Sequence, residues 1–110
     1  MLNKLFKTPL KMVLPSRILV DVAGERNMLS YGNLKDALEN RLNLSPSPVE
    51  ISLEIKSGFF LKPVRLIKLR EKNGNFEYKL VSGRVRYWAW IIAFGNSKPI
   101  PAYVRHDLTN

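Results

Sequence analysis

Arg84 and Arg86, two positions apart and directly after Gly83, are the side chains whose types and spacing point most clearly to chemistry. The run from Val81 to Trp90 reads as a strand end, a glycine turn and the opening of a helix lasting to about Phe94, where Gly95 stops it. Cations in a first helical turn face the positive end of the helix dipole and are disfavoured there. Their placement makes sense if an anion lies on the helix N-terminus, drawing on backbone N–H groups and both guanidinium forks. A phosphate site at Gly83 to Arg86 is therefore expected. The alternative is that Gly83 only makes the turn and both arginines are solvated.

Other reactive residues are sparse. The sole histidine, His106, stands beside Asp107 near the C-terminus and reads as a solvated tail residue. With no second histidine, a metal site would need carboxylates from elsewhere. Cysteine is absent, which removes disulfides, thiolate metal sites and cysteine nucleophiles together. Phosphoryl transfer normally needs acidic groups to hold Mg²⁺ or to activate a nucleophile. Asp21, Glu25, Glu50, Glu54 and Glu77 are the candidates, and none sits in a motif. No catalytic residue and no metal ligand is assigned.

A chain of 110 residues makes one domain with a real core. Its 45% hydrophobic and 25% charged residues suit a soluble globular protein. The charge balance is unusual: 18 Lys+Arg against 9 Asp+Glu, a net charge of +9. That excess favours a polyanionic partner, meaning nucleic acid, a nucleotide or an anionic membrane surface. No apolar run is long enough to span a bilayer, and a cytoplasmic protein without a membrane partner is expected. Residues 1–16 form a basic arm ending in an edge strand, 17–105 the domain, and 106–110 a tail. The oligomeric state is left open.

The elements that must position the arginines follow from local pattern. Arg17 to Val22 is β-branched and apolar, so a strand is expected there, and residues 23–32 read as loop. Asn33 is an N-cap for a helix carrying Leu34, Ala37, Leu38 and Leu42 to about Asn43. Ser47 and Glu50 form a capping box with Pro48 at the first helical position. That helix should turn Val49, Leu53 and Ile55 inward and end at Gly58. Asn73-Gly74 is a strong hairpin signal. Pairing outward from it sets Leu69 opposite Tyr78 and Ile67 opposite Leu80 on a core face. Arg70 meets Glu77 and Lys68 faces Lys79 on a wet face able to serve an anion, so Lys68, Lys79 and Arg84 are the nucleic-acid candidates. In the Gly83 helix, Val85, Trp88, Ala89 and Ile92 share a stripe, and Ile100 to Val104 makes a last strand. The fold class is α+β: a small mixed sheet with about three helices.

From about Arg17 to Val104 this order resembles the ParB/sulfiredoxin fold, as in the N-terminal domain of ParB partition proteins. That domain has a helix ending in glycine, then a Gln-Pro pair entering a strand; Gly58 and Lys62-Pro63-Val64 hold those places, with one extra residue between. It continues through a hairpin, a Gly-Glu-Arg-Arg-x-Arg-Ala motif opening a helix, and an Ile-Pro strand. Gly83, Arg86 and Ala89 match the motif, and Ile100-Pro101 matches the strand. The resemblance implies CTP or another nucleotide, with Mg²⁺, held at the phosphates by Gly83 and Arg86, with Lys62 and Pro63 flanking the pocket. Arg84 stands where ParB has glutamate, Val85 where it has arginine and Trp88 where it has arginine again. Sulfiredoxins have a catalytic cysteine at the place of Arg84, and related free serine kinases have a histidine pair at Arg84 and Val85. Asn110 ends the sequence before ParB's further nucleotide motif, its helix-turn-helix and its dimerisation domain, as a stand-alone member or a fragment would.

A DNA-associated, ParB-like module binding phosphate groups is the leading expectation. A protein-interaction domain with a decayed nucleotide site ranks second. A ParB-like nuclease or phosphotransferase ranks third.

Overall fold

The computed structural model describes residues 9–20 and 31–106. Expectations for residues 21–30, including Asp21 and Glu25, and for Asp107 fall outside these stretches. Five strands form one mixed sheet: β1 (Leu10–Val13), β2 (Ile18–Leu19), β3 (Val64–Asn73), β4 (Phe76–Ser82) and β5 (Ile100–His106), in the spatial order β1-β5-β3-β4-β2. The pairs β1/β5 and β3/β4 are antiparallel, while β3/β5 and β2/β4 are parallel. Three helices accompany it: α1 (Leu34–Leu38), α2 (Pro48–Lys56) and α3 (Arg84–Phe94). The expected α+β class holds.

The strand expected near residues 17–22 is split. Pro15 opens a 3-10 turn over Pro15–Arg17, as its fixed φ allows, and only Ile18–Leu19 pairs with β4. The edge strand at the end of the basic arm is β1, whose Val13 enters the core while Leu10 and Met12 stay exposed. Pro101 is tolerated inside β5 because pairing with β3 begins one residue later, at Ala102.

Helix starts are where expected. Asn33 accepts the Asp36 N–H at 2.8 Å. At α2 the Ser47 hydroxyl accepts the Glu50 N–H at 3.1 Å and the Glu50 carboxylate accepts the Ser47 N–H at 2.9 Å. Helix α1 is shorter than its apolar spacing suggests, ending at Leu38 and not near Asn43. Asn40 turns left-handed, with φ 49°, and its side chain grips both backbone groups of Leu44 at 3.0 Å. This local bonding outcompetes further helix. On α2 the inward residues are Ser52 and Ile55, whereas Leu53 points to solvent. Leu53 and Ile55 are two residues apart, so one helix face cannot hold both.

The hairpin turns at Gly74-Asn75, with Asn73 paired to Phe76. Gly74 has φ 64°, and a glycine at the first turn position suits this two-residue loop. An irregularity between Lys68 and Asn73 then resets the ladder, so Leu66 faces Leu80, Ile67 faces Lys79 and Lys68 faces Tyr78. The register deduced from Asn73-Gly74 is off by one residue along the inner ladder, which exchanges the faces. Leu66, not Leu69 or Ile67, joins Leu80 in the core. Arg70 is not paired with Glu77 in this ladder, and Lys68 and Lys79 lie on opposite faces.

Val64, Leu66, Leu80, Ile100, Ala102 and Val104 from the sheet meet Ile55 of α2 and Tyr87, Ala89 and Trp90 of α3. Tyr87 and Trp90, rather than Val85 and Ile92, are the deepest large side chains of α3. Trp90 Nε1 donates to the Lys98 carbonyl at 2.9 Å and Trp88 Nε1 to that of Tyr31 at 3.1 Å. Both indoles thus serve packing, with their polar ends bonded.

Candidate functional site

Helix α3 opens on Gly83, whose left-handed conformation (φ 98°, ψ 32°) aims its carbonyl at the Tyr87 N–H, 2.8 Å away. Unlike Asn33 and Ser47, Gly83 has no side chain to cap the first N–H groups, and no acidic residue lies in the first turn. Those N–H groups lack intrahelical acceptors by geometry. A Cβ at position 83 would lie 3.0 Å from Arg86 Nη2 and 3.0 Å from Val64 Cγ1, so the glycine is required by contact as well as by φ.

Arg86 folds back across Gly83. Its Nη1 donates to the Lys62 carbonyl at 3.1 Å and to the Pro63 carbonyl. Burial, and then the neighbouring Arg65 charge, push the Arg86 pKa down from its ordinary value. Lys62 and Pro63 on one side of the β3–β4 hairpin, and Gly83 and Arg86 on the other, are therefore brought together. The half-buried Arg84 begins the same helix turn. The expectation of Arg86 as an anion contact is refined in one respect: one arm of its fork already holds the Lys62-Pro63 backbone.

Candidates outside this cluster have other partners. Glu50 belongs to the α2 cap, and Glu54 is exposed on the same helix. Glu77 pairs with Arg17, and with Lys68 at 3.5 Å. Lys68 also lies 5.0 Å over the Tyr78 ring, so its charge is partly balanced. His106 is the last residue of β5, in register with Lys68. No group of three or more His, Cys, Asp or Glu able to hold a metal occurs among the described residues. No helix among them is long and apolar enough to cross a membrane.

Arg65, Tyr103 and Arg105 were not singled out from sequence. The signal was their alternation with buried Val64, Leu66, Ala102 and Val104, but it becomes informative only once β3 and β5 are known to be parallel neighbours.

Five strands in this order with three helices on the sheet define a sulfiredoxin/ParB-like α+β fold. Sulfiredoxin from Arabidopsis thaliana is similar in structure, with a TM-score of 0.58 over 90% of this chain and 86% of that one, at 15% identity. A likeness at that identity establishes the fold. No family model matches the chain, and no curated protein matches it in sequence.

Proposed function

We propose that this chain is a ParB-like binding module that holds a phosphate group, from a nucleotide or a nucleic-acid backbone, on the N-terminus of α3. The observation that carries the reading is the convergence just described: Arg86 fastens the Lys62-Pro63 backbone beside a helix N-terminus that has neither a side-chain cap nor an acidic residue. Arg84 and Arg86 bring positive charge to this turn, where burial and then the neighbouring Arg65 charge disfavour the charged form of Arg86. Backbone N–H groups and guanidinium forks are the usual complement of phosphate. In this reading Arg84 contacts the anion, and Arg86 shapes the site while presenting its remaining N–H groups. CTP is the first ligand to try, with Mg²⁺ carried by its phosphates, in a cytoplasmic, DNA-associated setting.

The test is a thermal-shift panel of nucleoside triphosphates and inorganic phosphate, with and without Mg²⁺. A saturable rise in melting temperature with at least one nucleotide, reduced by Arg84→Ala, supports the reading. A flat response to the whole panel contradicts it.

The interaction-domain reading draws support from one feature. Leu53, Phe59 and Phe60 at the end of α2 are exposed, Phe60 by 79%. Apolar clusters of this kind mark contact surfaces. Loss of a co-purifying protein on Phe60→Ser, together with a flat nucleotide panel, would favour it.

A further inference from the structure

The sheet face turned away from the buried side chains has a pattern of its own. Alternation from Val64, Leu66, Ala102 and Val104 places Arg65, Ile67, Tyr103 and Arg105 there, with Lys79 opposite Ile67 and Leu10 opposite Tyr103. Arg65 and Tyr103 share a rung, and the guanidinium lies 5.5 Å from the ring centroid. Together with Val81 and Arg105 they border a depression of about 110 Å³.

We propose that this face binds single-stranded nucleic acid, a base stacking on the Tyr103–Arg65 pair while Arg105 and Lys79 take neighbouring phosphates. The proposal does not rest on the α3 phosphate site. Leu10, Met12 and Val81 are all exposed, which marks the face for contact. Charge then selects the occupant. Three cations lie on the face, and the nearest carboxylate along β4, Glu77, is held by Arg17 and Lys68. A second copy docked by two-fold symmetry would set this positive patch against itself. An apolar peptide would bury these charges without supplying any counter-charge. Duplex keeps its base faces inside the stack, whereas a single strand offers them to an aromatic platform set in a basic surface.

The experiment is fluorescence anisotropy of the whole chain with a labelled oligothymidylate and with a duplex of equal length, across a salt series. The single strand should bind more tightly than the duplex. Tyr103→Ala should weaken it about tenfold, and Tyr103→Phe should restore most of that loss. Replacing Lys79 and Arg105 together by alanine should lower the slope of log affinity against log salt by about 1.4, the value for two lost phosphate contacts on a single strand. Circular dichroism and melting of each variant establish that it is folded. Unchanged affinity in the folded Tyr103→Ala chain, or a preference for duplex, overturns the proposal. A stable dimer dissociated by Tyr103→Ala would assign the face to a second copy and overturn it equally.

Discussion

Arg86 reaches back over Gly83 to donate to the carbonyl of Lys62, 3.1 Å away, joining the entry of β3 to the start of α3. The adjoining Pro63 carbonyl takes a second bond from the same nitrogen. One side chain thus fixes the spacing between the two segments of the proposed site.

Arg86→Ala should therefore lower stability by about 1–3 kcal/mol, because the Pro63 carbonyl loses its donor in a partly buried setting. The helix dipole alone would leave stability nearly unchanged, because the substitution removes a cation from a helix N-terminus. Arg86→Lys should recover only part, since an ammonium cannot reproduce the guanidinium fork. Urea denaturation of the three chains measures the difference. Equal midpoints would mean that the Lys62-Pro63 bonds contribute nothing.

Gly83→Ala should cost about 2 kcal/mol, combining the left-handed penalty with contacts at 3.0 Å to Arg86 and Val64. By comparison, Gly58→Ala meets no atom within 4 Å, so only its positive φ resists the change, and it should cost less. Thermal melts of both variants give the order. A larger loss at Gly58 would contradict the close approach.

Tyr87 makes a pH prediction. The side chain is 5% exposed, and burial raises its phenol pKa above the ordinary value. In the unfolded chain the phenol ionises near pH 10, but in the fold only at higher pH. Its contribution is thus complete below about pH 10 and is lost as pH rises through the folded value. Tyr87→Phe should flatten this alkaline decline. Identical melting-pH curves above pH 9 for the two chains would refute it.

Asn40→Ala should cost about 2 kcal/mol through loss of its two bonds to Leu44 and one from the Tyr31 hydroxyl. Asn40→Gly keeps the left-handed backbone accessible and should cost somewhat less. If both were neutral, the asparagine would not be what ends α1.

Local signals made much of this legible. Asn33, the Ser47/Glu50 box and Gly83 each act within a few residues, and each marks a helix start in the structure. The order of motifs also pointed to the fold. What failed was set by contacts distant along the chain or by competition among neighbours. The hairpin register depended on three more residue steps in β3 than in β4 between Asn73–Phe76 and Lys68–Tyr78, and no turn motif encodes that. The end of α1 was decided by an asparagine side chain gripping Leu44. The convergence of Lys62, Pro63, Gly83 and Arg86 was implied by a family resemblance, whereas the bonds from Arg86 to backbone carbonyls had no sequence signal. The Arg65–Tyr103 rung required knowing that β3 and β5 are parallel.

Amide chemical shifts report directly on the first turn of α3, where the phosphate is proposed to sit. In ¹H–¹⁵N spectra titrated with CTP and then with inorganic phosphate, the amides of Arg84, Val85 and Arg86 should shift together and saturate. The Arg86 side-chain Nε signal should move with them, and Arg84→Ala should weaken the response. Saturable shifts confined to other residues, or none at this turn for either ligand, would contradict the phosphate site.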